Sequence, residues 1–136
     1  MDCLFCKIIA GQIPSSKVYE DDELVAFLDI KPVNPGHVLL IPKQHFASLA
    51  ETPEALAGAM MAMVPSLAKA VMQATNAKGF NVAVNNGRVA GQLVDHVHLH
   101  IMPRHENDGY ELWHGKAYES SQAATSMANA IRAALQ

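Results

Sequence analysis

Asp95-His96-Val97-His98-Leu99-His100-Ile101-Met102-Pro103-Arg104 alternates three histidines with three aliphatic residues. That is the period of a β-strand, in which residues i, i+2 and i+4 share a face and neighbours on it lie roughly 6.5–7 Å apart. His96, His98 and His100 therefore form one row, and Val97, Leu99 and Ile101 anchor the opposite face. A single strand histidine reads as a half-exposed polar residue. Three in strict alternation do not, because protonating one imidazole repels the next and strand propensity does not favour the residue. The row points to chemistry or to a metal.

Composition narrows the class. A chain of 136 residues suffices for one domain, 1–136, that buries its own core. Its formal charge of -3, with no basic run, argues against a protein that coats nucleic acid. No apolar run approaches the ~20 residues of a membrane span. Asp2 and the lack of a long apolar segment after it do not suit a secretory leader. The expectation is a cytoplasmic protein with neither membrane nor nucleic-acid partners. The two cysteines, Cys3 and Cys6, leave three readings open: a redox pair, two free thiols, or half of a Cys₂His₂ zinc site completed by histidines from elsewhere. A redox pair ordinarily follows a strand, and none precedes this one.

Along the chain the pattern predicts an α+β fold. A helix over 3–10, capped by Asp2 and ended by Gly11, precedes strands at 17–20 and 24–28 joined across Asp21-Asp22-Glu23. A proline-bearing loop at 32–36 leads to a strand at 37–41. Thr52 then caps a long helix that reaches about residue 77, with Pro53 in its first turn and Pro65 set to kink or divide it. A strand at 80–84, a loop at 85–92 and the histidine strand follow, the last ended by Pro103. A polar loop over 105–119 carries Trp113, and Ser120 or Ser121 caps a final helix over about 120–135. The expected architecture is a meander of about five antiparallel strands crossed by one long helix, with short helices at each end.

Four segments then fall into place together. They are Ala26-Phe27-Leu28-Asp29-Ile30, Gly36-His37-Val38-Leu39-Leu40-Ile41-Pro42-Lys43-Gln44-His45, Val84-Asn85-Asn86-Gly87 with Gly91-Gln92, and the histidine row. Their order and spacing resemble the histidine triad (HIT) family, whose signature is His-φ-His-φ-His-φ-φ with φ hydrophobic. The resemblance covers roughly residues 3–104. It implies the HIT fold, a homodimer built on one ten-stranded sheet, and a hydrolase of the histidine triad type. Such an enzyme cleaves purine nucleoside 5′-phosphoramidates, or related α-phosphate-substituted nucleotides, to the monophosphate through a nucleotidyl-histidine. Diadenosine polyphosphate hydrolysis is the nearest variant, and no metal is required for catalysis.

Residue chemistry agrees with that implication. A neutral imidazole is a nucleophile near pH 7, because its ordinary pKa is about 6.5. His98 is flanked by a histidine on each side and matches the family nucleophile. His100 and His37 would donate to phosphate oxygens or protonate the leaving group, and His96 is either a further catalytic residue or a metal ligand. By resemblance Asp29 accepts the ribose hydroxyls, and Asn85, Gly91 and Gln92 contact the phosphate or leaving group. Phe5, Ile8, Phe27 and Ile30 would wall the purine. The start of the chain resembles bacterial members that carry a structural zinc, for which Cys3, Cys6, His45 and His96 would be the ligands. Leu93 departs from the polar residue that many members carry after the Gly-Gln pair, which bears on the substrate. Two other readings stand beside this one. In the first, the row chelates a catalytic zinc. The second is a nucleotide-binding protein with little turnover.

Overall fold

Leu24-Val25-Ala26-Phe27-Leu28 and Val38-Leu39-Leu40-Ile41-Pro42 are apolar without alternation, as strands are when both faces of a sheet are covered. The computed structural model describes residues 2–135, so Met1 and Gln136, the ends of the expected unit, lie outside the described residues. Strands β1 (Lys17–Glu20), β2 (Leu24–Leu28), β3 (Val38–Pro42), β4 (Gly79–Val84) and β5 (Leu99–Arg104) form one antiparallel sheet. Helices α1 (Leu4–Ile9), α2 (Glu54–Thr75) and α3 (Ser121–Ala134) complete the α+β architecture.

Alternate residues serve different cores. Leu24, Ala26, Val38, Leu40, Val97, Leu99 and Ile101 meet Leu56, Met60, Val64, Leu67, Ala68 and Val71, the helical stripe of α2. Val25, Phe27, Leu39 and Ile41 point the other way and are covered by Cys3, Phe5 and Ile8 around α1. The histidine row lies on this second face. It is therefore roofed by α1 and is not the solvated face that alternation alone suggests: His96 and His98 are 0% and 6% exposed.

Several sequence expectations need correction. The strand order is β1-β2-β3-β5-β4, not that of a meander. Because α2 carries the chain back across the sheet, β4 lies at the edge and β5 returns between β3 and β4. His100 consequently sits on a central strand, opposite Leu39 on one side and Ala83 on the other. Strand β5 starts at Leu99 and runs through Pro103. Pairing with β3 stops at Ile101, so Pro103 occupies an open edge on that side, where a missing N–H is tolerated. Residues 96–98 precede the ladder, and the Val97 N–H donates to the Phe46 carbonyl at 2.8 Å.

Pro65 does not divide α2. It lies on the exposed face with Met61, so the carbonyl it leaves without a partner faces water. Cys3, not Asp2, caps α1, its sulfur accepting the Cys6 N–H at 3.4 Å while Asp2 pairs with Lys7. Thr52 turns its hydroxyl to the Ser48 carbonyl, which leaves Pro53 at the cap of α2. α2 is also long and apolar enough to cross a membrane by length and composition, with a mean hydropathy of 1.5 in its most apolar window. Its apolar stripe nevertheless packs on the sheet as a core helix does.

Candidate active site

Gly36 and His37 open the site where the chain enters β3. Gly36 has φ +98°, and a Cβ there would collide with Thr75 Cγ2, so only glycine lets the chain pass α2 and deliver His37 to the sheet. The Val33 N–H donates to His37 Nδ1 at 3.0 Å. An accepting Nδ1 leaves the proton on Nε2, which donates to His100 Nδ1 at 2.9 Å. The proton of His100 is thereby placed on its own Nε2. That atom is the only buried side-chain nitrogen or oxygen without a hydrogen-bond partner among the described residues. Leaving a buried donor unpaired costs about 1–3 kcal/mol, so this N–H is a standing site for an acceptor.

His98 has the opposite tautomer. Its Nδ1–H donates to the His96 carbonyl at 2.7 Å, so the neutral ring carries its lone pair on Nε2. The His98 and His100 ring centroids are 5.0 Å apart. One ring presents a lone pair and its neighbour presents a proton. Burial, together with His98 and His37, pushes His100 down to about 4, and burial also lowers His37 against the opposing pull of Asp29. Both are neutral near pH 7.

These rings open into a cavity of about 420 Å³, within the ~300–1,000 Å³ of small-ligand sites. Phe5, Ile8 and Phe27 form buried apolar wall, Ile30 stands at the rim 91% exposed, and Asp29, Asn85 and Gly91 supply polar edges. Asp29 Oδ1 accepts the Lys31 N–H at 2.9 Å, and Oδ2 lies 3.7 Å from His37 Nε2, beyond hydrogen-bond distance. Leu93 also borders the cavity and is 79% exposed.

Two of the residues singled out from sequence sit differently from expectation, and a third takes one of its two expected places. His37 does not line this cavity; both its nitrogens are engaged, and it acts on His100. Gln92 is buried away from it, with Oε1 accepting the Gly87 N–H at 2.8 Å and Nε2 donating to Ala47 O at 2.6 Å and Val94 O at 2.9 Å. Its amide staples the loop before β5 and has no capacity left for a phosphate. His96 faces the cysteines, the metal-ligand alternative of its two expected roles. Its Nε2–H donates to the Pro42 carbonyl at 2.8 Å, which leaves the Nδ1 lone pair pointing at the cysteines.

Around that lone pair lie Cys3 Sγ at 3.4 Å, Cys6 Sγ at 3.6 Å and His45 Nδ1 at 3.2 Å, with His45 Nδ1 also 3.4 Å from Cys6 Sγ. A tetrahedron with zinc bond lengths has edges of about 3.3 Å between nitrogens and about 3.6 Å between nitrogen and sulfur. The four residues, drawn from three separate segments, fit that group. Burial and the adjacent Cys3 push the Cys6 thiol up, a preference that a central cation reverses. The row is thus split between two clusters, so its three rings do not converge on one catalytic metal. Asp29, His37 and His100 also bring ligand atoms within 4.8 Å of one another, but the His37–His100 proton occupies a lone pair that a metal would need.

The arginines are engaged on the surface. Arg104 is held by Asp108, Asn81 and the Tyr110 carbonyl, and Arg88 lies 4.0 Å from Asp95. Fixing the tautomer of His98 calls for an acceptor such as a nearby main-chain carbonyl, which the structure identifies as that of His96, whereas sequence reasoning missed the Val33 N–H and the Pro42 carbonyl. Main-chain atoms carry no residue signature that could have revealed them. It also gave Phe5 to the purine wall alone, whereas the ring lies edge-on to His98 at 5.1 Å and to His96 at 5.9 Å.

Comparison with known proteins gives a consistent result. The HIT domain family matches residues 10–107. The adenylylsulfatase HINT3 of Arabidopsis thaliana is 49% identical over 107 residues, which span 79% of this chain and 54% of that protein. The adenosine 5′-monophosphoramidase HNT1 of Candida albicans is 44% identical over 106 residues, 75% of this chain and 70% of that one. Among solved structures, a member of the HIT family from Bacillus subtilis aligns with a TM-score of 0.90 at 40% identity, covering 97% of this chain and 96% of its own. A Zn-bound histidine triad family protein from Mycobacterium smegmatis aligns at 0.77 and 34% identity, covering 98% of both chains.

Proposed function

This chain belongs to the histidine triad (HIT) family, and from that premise we propose that it hydrolyses purine nucleoside 5′-phosphoramidates to the monophosphate through a nucleotidyl-His98 intermediate. The observation that carries the reading is the pair of opposed tautomers in one cavity, a lone pair on His98 Nε2 beside an unpartnered proton on His100 Nε2. The names of two relatives, a monophosphoramidase and an adenylylsulfatase, describe cleavage at a nucleotide α-phosphate and support it.

The chemistry runs in two displacements. The His98 Nε2 lone pair attacks the α-phosphorus, the bond from phosphorus to the leaving nitrogen breaks, and that nitrogen takes a proton from solvent, to be returned when water attacks in the second step, and departs as an amine. Water then attacks the same phosphorus, the P–Nε2 bond breaks, and monophosphate leaves with His98 neutral again. His100 Nε2–H donates to a phosphate oxygen as charge builds on it. His37 holds His100 in that tautomer. Asp29 Oδ2 accepts from the ribose, and Phe5, Ile8, Phe27 and Ile30 enclose the base.

Cys3, Cys6, His45 and His96 would hold a structural zinc, which would cross-link α1, the segment after β3 and the segment before β5. A homodimer belongs to the same reading, since β4 leaves one sheet edge unpaired. Phosphorus NMR of the protein with adenosine 5′-phosphoramidate, with an ammonia assay on the same samples, tests the function. AMP and ammonia in equal amounts are expected. AMP that binds without any turnover of phosphoramidate or diadenosine polyphosphate would contradict it and leave a nucleotide-binding protein, the reading that the apolar Leu93 at the rim favours.

A further inference from the structure

Residues 96–98 stand ahead of β5, outside the ladder, so sheet pairing does not fix the nucleophile. Two other connections reach it, and both begin at the cysteine–histidine cluster. The first runs through His96. Its Nδ1 faces Cys3 and Cys6, its Nε2–H is tied to the Pro42 carbonyl, and its own carbonyl takes the His98 Nδ1–H. The second runs through α1. Cys3 Sγ caps that helix on the Cys6 N–H, and Phe5 between the two cysteines lays its ring edge-on against His98.

We infer that the Cys3–Cys6–His45–His96 cluster, with a metal held in it, is the positioning device of the nucleophile, fixing the His96 carbonyl so that His98 keeps its lone pair on Nε2 and aims it into the cavity. The inference rests on the reading of His98 as nucleophile and of the cluster as a zinc site. An imidazole has two neutral tautomers of similar energy, and one hydrogen bond of about 1 kcal/mol selects between them by roughly fivefold. That selection lasts only while the carbonyl stays aligned. Residue 45 and residue 96 belong to loops joined nearby by a single main-chain bond, from Val97 N–H to Phe46 O. The Gln92 amide on Ala47 O ties the same loops further along, and a four-ligand cross-link is what would fix them at residues 45 and 96 themselves. It touches neither cavity nor substrate, so it acts by positioning. Supports of this kind are worth about 10- to 100-fold in activity.

The test compares zinc-loaded and chelator-stripped protein labelled with ¹⁵N-histidine. Long-range ¹H–¹⁵N correlations read which nitrogen of His98 bears the proton, and sheet amide signals report the fold. The loaded protein should show the Nδ1–H tautomer in roughly fivefold excess or more. The stripped protein should show a more even mixture, with kcat about 10- to 100-fold lower because the ring loses its aim as well as its tautomer (the tautomer shift alone gives about twofold), and KM within about threefold, all restored by added Zn²⁺. An unchanged His98 tautomer and kcat after stripping would overturn the inference, as would failure to bind added Zn²⁺. If stripping melts the N-terminal segment, His45→Asn provides graded zinc occupancy: the Nδ1–H fraction should follow occupancy, and a constant fraction overturns the proposal. The tautomer readout needs no substrate. A loaded protein with the expected tautomer but no phosphoramidase activity therefore counts against the proposed function alone.

Discussion

His37 Nε2 lies 2.9 Å from His100 Nδ1, and the proton between them belongs to His37, because the Val33 N–H fills its other nitrogen. The bond places a proton on His100 Nε2, a buried atom with no partner of its own on a ring that lines the cavity. His37→Ala removes that constraint and frees His100 to take either tautomer. The variant should lose about 10-fold or more in kcat with little change in KM, because the missing donor acts on charge that develops in the transition state. Steady-state kinetics on adenosine 5′-phosphoramidate checks this. A raised KM at unchanged kcat would make His37 a ground-state contact instead.

Asp29 borders the cavity just past the end of β2, half-buried, with Oδ1 accepting the Lys31 N–H and Oδ2 3.7 Å from His37 Nε2. Asp29→Ala should raise KM more than it lowers kcat and should blunt the preference for ribose over 2′-deoxyribose substrates. Paired assays with the two sugars give the answer. A preference that survives the substitution removes Asp29 from the ribose site.

Gln92 is tied by three hydrogen bonds to Gly87, Ala47 and Val94. Gln92→Ala should therefore destabilise the protein by about 2–3 kcal/mol, near 1 kcal/mol per bond, which a denaturant titration would register. Gln92→Glu should be no better, since a carboxylate cannot donate to two carbonyls. Wild-type stability with only a raised KM would return Gln92 to the phosphate.

Acid should weaken the fold before it protonates carboxylates. His100, at about 4, and His37, lowered by burial, bind fewer protons folded than unfolded below the ordinary histidine value near 6.5. Their stabilising effect is complete above about pH 7 and is lost as pH falls towards 4, on the order of 2–3 kcal/mol for His100. Thermal melts across that range should show a falling midpoint, with a shallower slope in His100→Asn. A flat profile would contradict the assignment of buried neutral rings.

Much of this molecule can be read from sequence, with limits of one physical kind. The histidine alternation announced β5 and the two faces, although of the row only His100 lies within the strand, and the apolar stripe from Leu56 to Val71 announced the long helix. What residue types could not reveal was which atoms the main chain presents. The Val33 N–H and the His96 carbonyl decide the tautomers of His37 and His98, and neither depends on the side chain of the residue that supplies it. Strand order was hidden for a related reason: β5 pairs with both β3 and β4, and local pattern does not say which edge a returning chain takes. The split of the row followed from burial. His96 and His98 share a face, but α1 covers that face and diverts one ring to the cysteines.

The most direct test of covalent histidine catalysis is rapid-quench intact-mass analysis of the protein mixed with adenosine 5′-phosphoramidate. The account predicts a transient species heavier by one adenylyl group, mapped by digestion to His98 and absent from His98→Ala. Release of AMP in the first turnover with no adduct at any quench time, or an adduct that persists in His98→Ala, would contradict it.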